Sequence, residues 1–93
     1  MKIEVKIKEI LDLVEYQSKV TGEMKKRQDV IMETIAPYPD EFIATIWNKT
    51  ADDLGLKEGK TMFVELAFVV DQITNQHDGK VWFKQKVNLW RAE

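Results

Sequence analysis

Ninety-three residues fit one domain around a single core, with little room for a second. The composition, 44% hydrophobic and 32% charged, is ordinary for a globular chain, and the lack of cysteine excludes disulfides, thiolate metal sites and a cysteine nucleophile. Fourteen basic against sixteen acidic side chains leave a net charge of −2, which excludes a uniformly basic coat but not a local basic groove.

From Lys2 to Val14, Ile3, Val5 and Ile7 alternate with Glu4, Lys6 and Lys8, the period of a half-buried strand. A phase change near Glu9-Ile10-Leu11 predicts a bulge or bend, as in a long strand curling around a barrel. The polar residues from Gln17 to Lys26, with Gly22, read as a loop or flexible hairpin tip. Asp29 to Ile35 is a second strand, broken by Ala36-Pro37-Tyr38-Pro39-Asp40 because the prolines remove donors and fix the backbone. Phe42 to Trp47 is a third.

Asn48 or Thr50 can cap a helix of one to two turns, with Asp52 and Asp53 at its positive end and Gly55 as its stop. After the turn Lys57-Glu58-Gly59-Lys60, Thr61 to Val70 forms a fourth strand. Asp71 to Lys80 reads as a long polar connection that closes on the turn dipeptide Asp78-Gly79, and Val81 to Arg91 as the fifth strand. Five strands with a helix between the third and fourth is the order of the OB-fold, a Greek-key barrel; an SH3-like barrel is the main competitor. The expected core is Val5, Ile7, Ile10, Val30, Met32, Phe42, Ala44, Ile46, Leu54, Val64, Leu66, Phe68, Phe83 and Val87.

In an extended last strand, Trp82, Lys84, Lys86, Asn88 and Trp90 share one face. Rings beside ammonium groups suit a flexible polyanion, because bases stack on rings while lysines meet phosphates. On the third strand, inward Phe42, Ala44 and Ile46 leave Ile43, Thr45 and Trp47 outward, where a tryptophan is either a stacking platform or packing at the barrel end. Lys19, Lys25, Lys26 and Arg27 would frame the same groove from the loop before strand two, unless they are only a solvated hairpin tip, and Lys80 and Lys84 would extend it. Tyr38 reads as a lid on the core, and Trp82 and Trp90 as a barrel plug or a dimer contact. One histidine, His77, and scattered carboxylates make no metal site; no nucleophile–base pair, Walker loop or dinucleotide fingerprint is present, so no cofactor and no catalysis are expected.

Several fragments together carry a resemblance: Lys6-Ile7-Lys8-Glu9-Ile10-Leu11, Thr21-Gly22-Glu23-Met24-Lys25-Lys26-Arg27-Gln28-Asp29-Val30, Ile46-Trp47-Asn48, Gly79-Lys80-x-Trp82-Phe83 and Trp90-Arg91-x-Glu93. They resemble a small single-domain family of unknown function, domain-of-unknown-function family 3127, over nearly the whole chain. The resemblance implies an OB-like fold and, by analogy of fold, single-stranded nucleic-acid binding. One residue more than the family pattern lies between Phe83 and Trp90, which predicts a bulge that would put Trp82 and Trp90 on opposite faces.

The expectation is a single OB domain over 1–93 that binds single-stranded DNA, or RNA, largely without regard to sequence, aided by homo-oligomerisation. The rival expectation is a protein-interaction or homo-oligomeric assembly module, favoured by a pI near 5.4 and by Asp29, Glu33 and Glu41 near the groove. No stretch approaches a membrane span, the N-terminus lacks a signal-peptide run, and the lack of cysteine fits a cytoplasmic setting.

Overall fold

The first strand must satisfy two neighbours at once, and this closes the sheet. In the computed structural model, which describes residues 1–93, the strands are β1 (Lys2–Ile10), β2 (Val14–Gln17), β3 (Met24–Thr34), β4 (Glu41–Trp47), β5 (Thr61–Thr74) and β6 (Val81–Ala92). The start of β1 pairs with β5, from Lys2 opposite Glu65 to Lys6 opposite Thr61. Its end pairs with β3, from Val5 opposite Thr34 to Ile10 opposite Val30. With β3 on β4, β4 on β6 and β6 on β5, five strands form a ring in the order β1-β3-β4-β6-β5. The register shift lies between Ile7 and Glu9, so Lys8 is the extra residue and the bend comes slightly before the expected place. β2 continues the path of β1 along β3, pairing Val14 with Arg27 and Gln17 with Met24.

Alternation places Val5, Ile7, Val30, Met32, Ala44, Ile46, Val64 and Leu66 inside, fully buried as the patterning predicts. Ile10, Phe42, Leu54 and Val87 pack against them from the margin. Ala51, Leu56, Met62 and Leu89 also belong to the core.

The ring closes least firmly between β4 and β6. They run parallel and share one ladder pair, Thr45 with Asn88. Every other pairing is antiparallel and several residues long.

No helix forms between β4 and β5. Residues 51–55 make tight turns instead, with Leu54 N–H donating to Ala51 O (3.2 Å) and Gly55 N–H to Asp52 O (3.1 Å). The anticipated capping chemistry is present without the helix: Thr50 N–H donates to Asp53 Oδ2 (2.9 Å), and Asp53 N–H to Thr50 Oγ1 (3.2 Å). Gly55, at φ 71°, turns the chain back before a second helical turn can close. The turn inserts Ala51, Leu54 and Leu56 against the core. It is therefore the plug that Trp82 and Trp90 were expected to be; both tryptophans are about 60% exposed. Tyr38 is exposed too, not a lid.

Gln28 fixes this plug to the sheet. Its side chain, on the inner side of β3, donates from Nε2 to Leu11 O (2.9 Å) and accepts from Ala51 N–H at Oε1 (2.6 Å). One buried amide thus joins the break between β1 and β2, the middle of β3 and the plugging turn.

β5 and β6 run well beyond the ring. The expected polar loop from Asp71 is strand as far as Thr74, and pairs continue from Leu66 opposite Leu89 to Thr74 opposite Val81. This two-stranded arm stretches the molecule to 44 × 33 × 20 Å and raises its radius of gyration to 15.3 Å. A compact domain of this length has about 12 Å. One face of the arm continues the inner wall of the ring and carries Phe68, Val70, Gln72 and Thr74 beside Val81, Phe83, Gln85 and Val87. Phe68 and Phe83 therefore have the inward parity of core residues but lie 50% and 71% exposed, because nothing covers the wall past the rim. The opposite face carries Asp71, Ile73, Trp82, Lys84 and Lys86.

Two predictions test this account. Gln28→Leu leaves a buried N–H and a part-buried carbonyl unpaired, at about 1–3 kcal/mol each, so its urea midpoint falls sharply with an unchanged slope. The Asp53 carboxyl lies below its ordinary pKa, chiefly through the Thr50 backbone N–H and then the Thr50 hydroxyl, with Lys26 and Lys49 helping. A depressed carboxylate stabilises above its unfolded pKa, and that contribution is lost as pH falls through the folded value. The stability gap between the native chain and Asp53→Ala, followed by urea unfolding across acidic pH, therefore closes as pH drops below the carboxylate range.

Candidate nucleic-acid interface

The outer surfaces of β3, β4 and β6 meet across the weak seam of the ring. Strand alternation turns Arg27, Asp29 and Ile31 outward from β3 and Ile43, Thr45 and Trp47 outward from β4. The register sets Arg27 opposite Trp47, Asp29 opposite Thr45 and Ile31 opposite Ile43. The parallel pair of Thr45 with Asn88 puts Lys84, Lys86 and Asn88 of β6 on the same side.

Trp47 is the centre of this surface. The residue is 38% exposed, and the Arg27 guanidinium lies over its ring, 5.6 Å from the centroid. Trp47 Nε1–H donates to Asn88 Oδ1 (2.9 Å), so the indole edge is tied across the seam while part of its face stays open. Asp29 is already engaged: its Oδ2 meets Arg27 at 3.3 Å, and its Oδ1 accepts from the Thr45 hydroxyl at 2.7 Å. The acid expected to repel phosphate thus serves to orient Arg27.

A groove of about 340 Å³ runs between Arg27, Ile43, Thr45 and Trp47 on one wall and Lys84 and Lys86 on the other. Lys86 pairs with Asp71, whereas Lys84 has no ion-pair partner. A second cleft of about 210 Å³ continues past Trp47 to Lys49, Asn88 and Trp90. Trp47 borders both, with unpaired Lys84 at the first and unpaired Lys49 and the Trp90 indole at the second.

Of the residues singled out in the sequence, Trp47, Ile43, Arg27 and Lys84 come together in the groove. Lys25 and Lys26 do not lie in a loop, since β3 begins at Met24; Lys25 pairs with Tyr16 and Lys26 with Glu15. Lys25 shares the outward parity of Arg27 and continues the face toward the hairpin tip. Lys26 has the parity of Gln28 and its charge is felt at Asp53 instead. Lys19 sits in the turn beyond Met24, and Lys80 in the turn at the arm tip; both are exposed and outside the groove.

The last strand keeps its register from Trp82 to Leu89, so Trp82, Lys84, Lys86 and Asn88 do share a face. The shift falls at Trp90, the extra residue between Leu89 opposite Leu66 and Arg91 opposite Glu65. That bulge brings Trp90 to the cleft beside Trp47. The sequence places Thr45 on this face by parity, and Asn88 and Trp90 on a face of the last strand; Lys49 is the residue that it gives no reason to expect. Lys49 depends on Asn48, whose φ of 63° bends the chain at the end of β4 and is invisible to periodicity.

Nowhere do three histidine or carboxylate side chains converge as a metal site would need.

A family described as a domain of unknown function, DUF3127, matches residues 2–93. The chain belongs to this family. Neither a curated protein nor a solved structure matches it.

At the far end of the same face, Glu33 and Glu41 stand opposite one another on β3 and β4, and Lys8 reaches both. The hydrogen bond to Glu41, then that to Glu33, raises the Lys8 pKa above its ordinary value. Like charges directly opposite destabilise a strand pair. Lys8→Met therefore lowers the thermal midpoint of the DUF3127 domain at neutral pH, and added salt shrinks the difference by screening the two carboxylates.

Proposed function

We propose that this domain is an OB barrel that binds single-stranded nucleic acid, DNA in the first instance, on the outer face of β3, β4 and β6, without catalysis. The ring order β1-β3-β4-β6-β5 supports the barrel assignment, with β1 and β2 together as its long bent first strand. OB barrels bind oligonucleotides on the face of their second and third strands, flanked by the loops between strands one and two and between four and five. Here those strands are β3 and β4, and the flanking connections are the turn at residues 18–23 and the β5–β6 arm.

The observation that carries the reading is Trp47, half open beneath Arg27, with unpaired Lys84 across the groove. A base stacking on the indole contributes about 1–3 kcal/mol and does so for any base. Arg27, Lys84, Lys25 and Lys49 would meet successive phosphates. Trp90 offers a second ring along the path. Stacking and charge without a set of base-edge donors predict binding that is largely independent of sequence. The small net negative charge of the chain is no obstacle, because its acids lie largely outside this groove and Asp29 is engaged.

The test is a fluorescence titration with oligo-dT, using a Trp82→Phe variant so that emission comes from Trp47 and Trp90. Quenching at low salt is expected, with log K falling against log salt by about 0.7 for each phosphate neutralised. Lys84→Ala reduces that slope by about one such increment, while Trp47→Ala weakens binding by roughly 5- to 150-fold at every salt concentration. No quenching at micromolar protein and low salt would sink the reading.

A further inference from the structure

We infer that the uncharged face of the β5–β6 arm is the contact surface for a second copy of this chain, with the two arms laid face to face and antiparallel about a two-fold axis. Beyond the rim the arm is a bare ribbon of two strands, and such a ribbon is at best marginally stable in water without a third strand or a packed layer. It cannot fold back over its own barrel, because the β5–β6 ladder runs unbroken from the ring wall to the tip.

The face lacks the chemistry for a polyanion and has the chemistry for itself. Its apolar members are Phe68, Val70, Val81, Phe83 and Val87, and the positions between them are glutamine or threonine, so no charge interrupts it. A copy meeting its own image therefore encounters no like-charge repulsion, while the lysines lie on the opposite face of the ribbon. Four of these side chains, 45–71% exposed, present about 400 Å² of apolar surface, taking roughly 200 Å² for each phenylalanine and somewhat less for each valine. That is about half of the roughly 800 Å² that each partner contributes to a standard interface. The adjoining cleft at the rim, about 600 Å³ and bordered by Met1, Ile3, Phe42 and Phe68, extends the same surface.

The two-fold geometry follows from the register. With the arms antiparallel and centred on the pair of Val70 with Gln85, Phe83 near one tip lies over Phe68 and Val87 at the rim of the other copy. Each tip phenylalanine then closes the partner copy's apolar cleft, and Gln85 meets its own counterpart near the axis.

The cysteine-free chain suits a direct test, run without oligonucleotide and so independent of the nucleic-acid reading. Sedimentation should give twice the 10.9 kDa chain mass, falling to the single mass at high dilution. Phe83→Lys should shift the equilibrium to monomer with little change in the thermal midpoint of the isolated barrel, since Phe83 is mostly exposed in one copy. Gln85→Cys should give a dimer cross-linked by a short bis-maleimide, since faces of packed sheets lie about 10 Å apart, and Lys84→Cys, on the opposite face, should not. A monomer at all concentrations would overturn the inference. So would a dimer that survives Phe83→Lys and cross-links through Lys84→Cys.

Discussion

A single buried amide holds the working parts of this domain in register. Gln28 bonds to Leu11 on one side and Ala51 on the other, and each bond satisfies a backbone group where regular pairing stops. Leu11 lies just past the end of β1, on the way to the hairpin, and Ala51 begins the turn that packs against the core. Neither segment has a ladder of its own at that point. A buried polar group left without a partner is costly, so the positions of the bend and the plug are conditional on Gln28. The outward side of the same strand carries Arg27 and Asp29, so the residue that secures the core also sets the base of the groove.

The sheet divides its chemistry by face. Among the buried side chains inside the ring, Gln28 alone is polar. Outside it, acids and bases pair, across strands as Lys8 with Glu33 and Glu41 and within β3 as Arg27 with Asp29. The arm carries both halves of this division past the rim, where the apolar half has no core to belong to. Ring and arm thus pose different physical problems: the first is solved by burial within one chain, and the second is left to something outside it.

Strand parity was legible in the sequence, and most of the fold follows from it. The inward sets on β1, β3 and β4 and the outward positions of Ile43 and Trp47 needed only the period of two. The bend near Glu9 announced itself by a phase change, one residue from its true place. The helix misled because Thr50 and Asp53 are capping residues, yet only four residues separate Thr50 from Gly55, too few to repay nucleation. The arm was hidden for another reason. Asp71, Gln72 and Asn75 look like a loop when read locally, and only pairing with residues ten or more positions away makes strand of the first two. Phe68 and Phe83 were assigned the correct side of the sheet, but parity does not say whether anything lies over that side. Likewise, the groove required β4 and β6 to become neighbours, a parallel contact between segments some forty residues apart that no local pattern contains.

That contact rests on one ladder pair and on the bond from the Trp47 indole to Asn88. Everywhere else around the ring, a change in strand spacing would break a row of hydrogen bonds. At this joint it breaks almost none, so the two walls can separate or approach like a clasp with a single tooth. Trp47 and Asn88 stand on either side of it. The aperture between them is therefore the most compliant dimension of the ring, while the rest of the sheet keeps its shape.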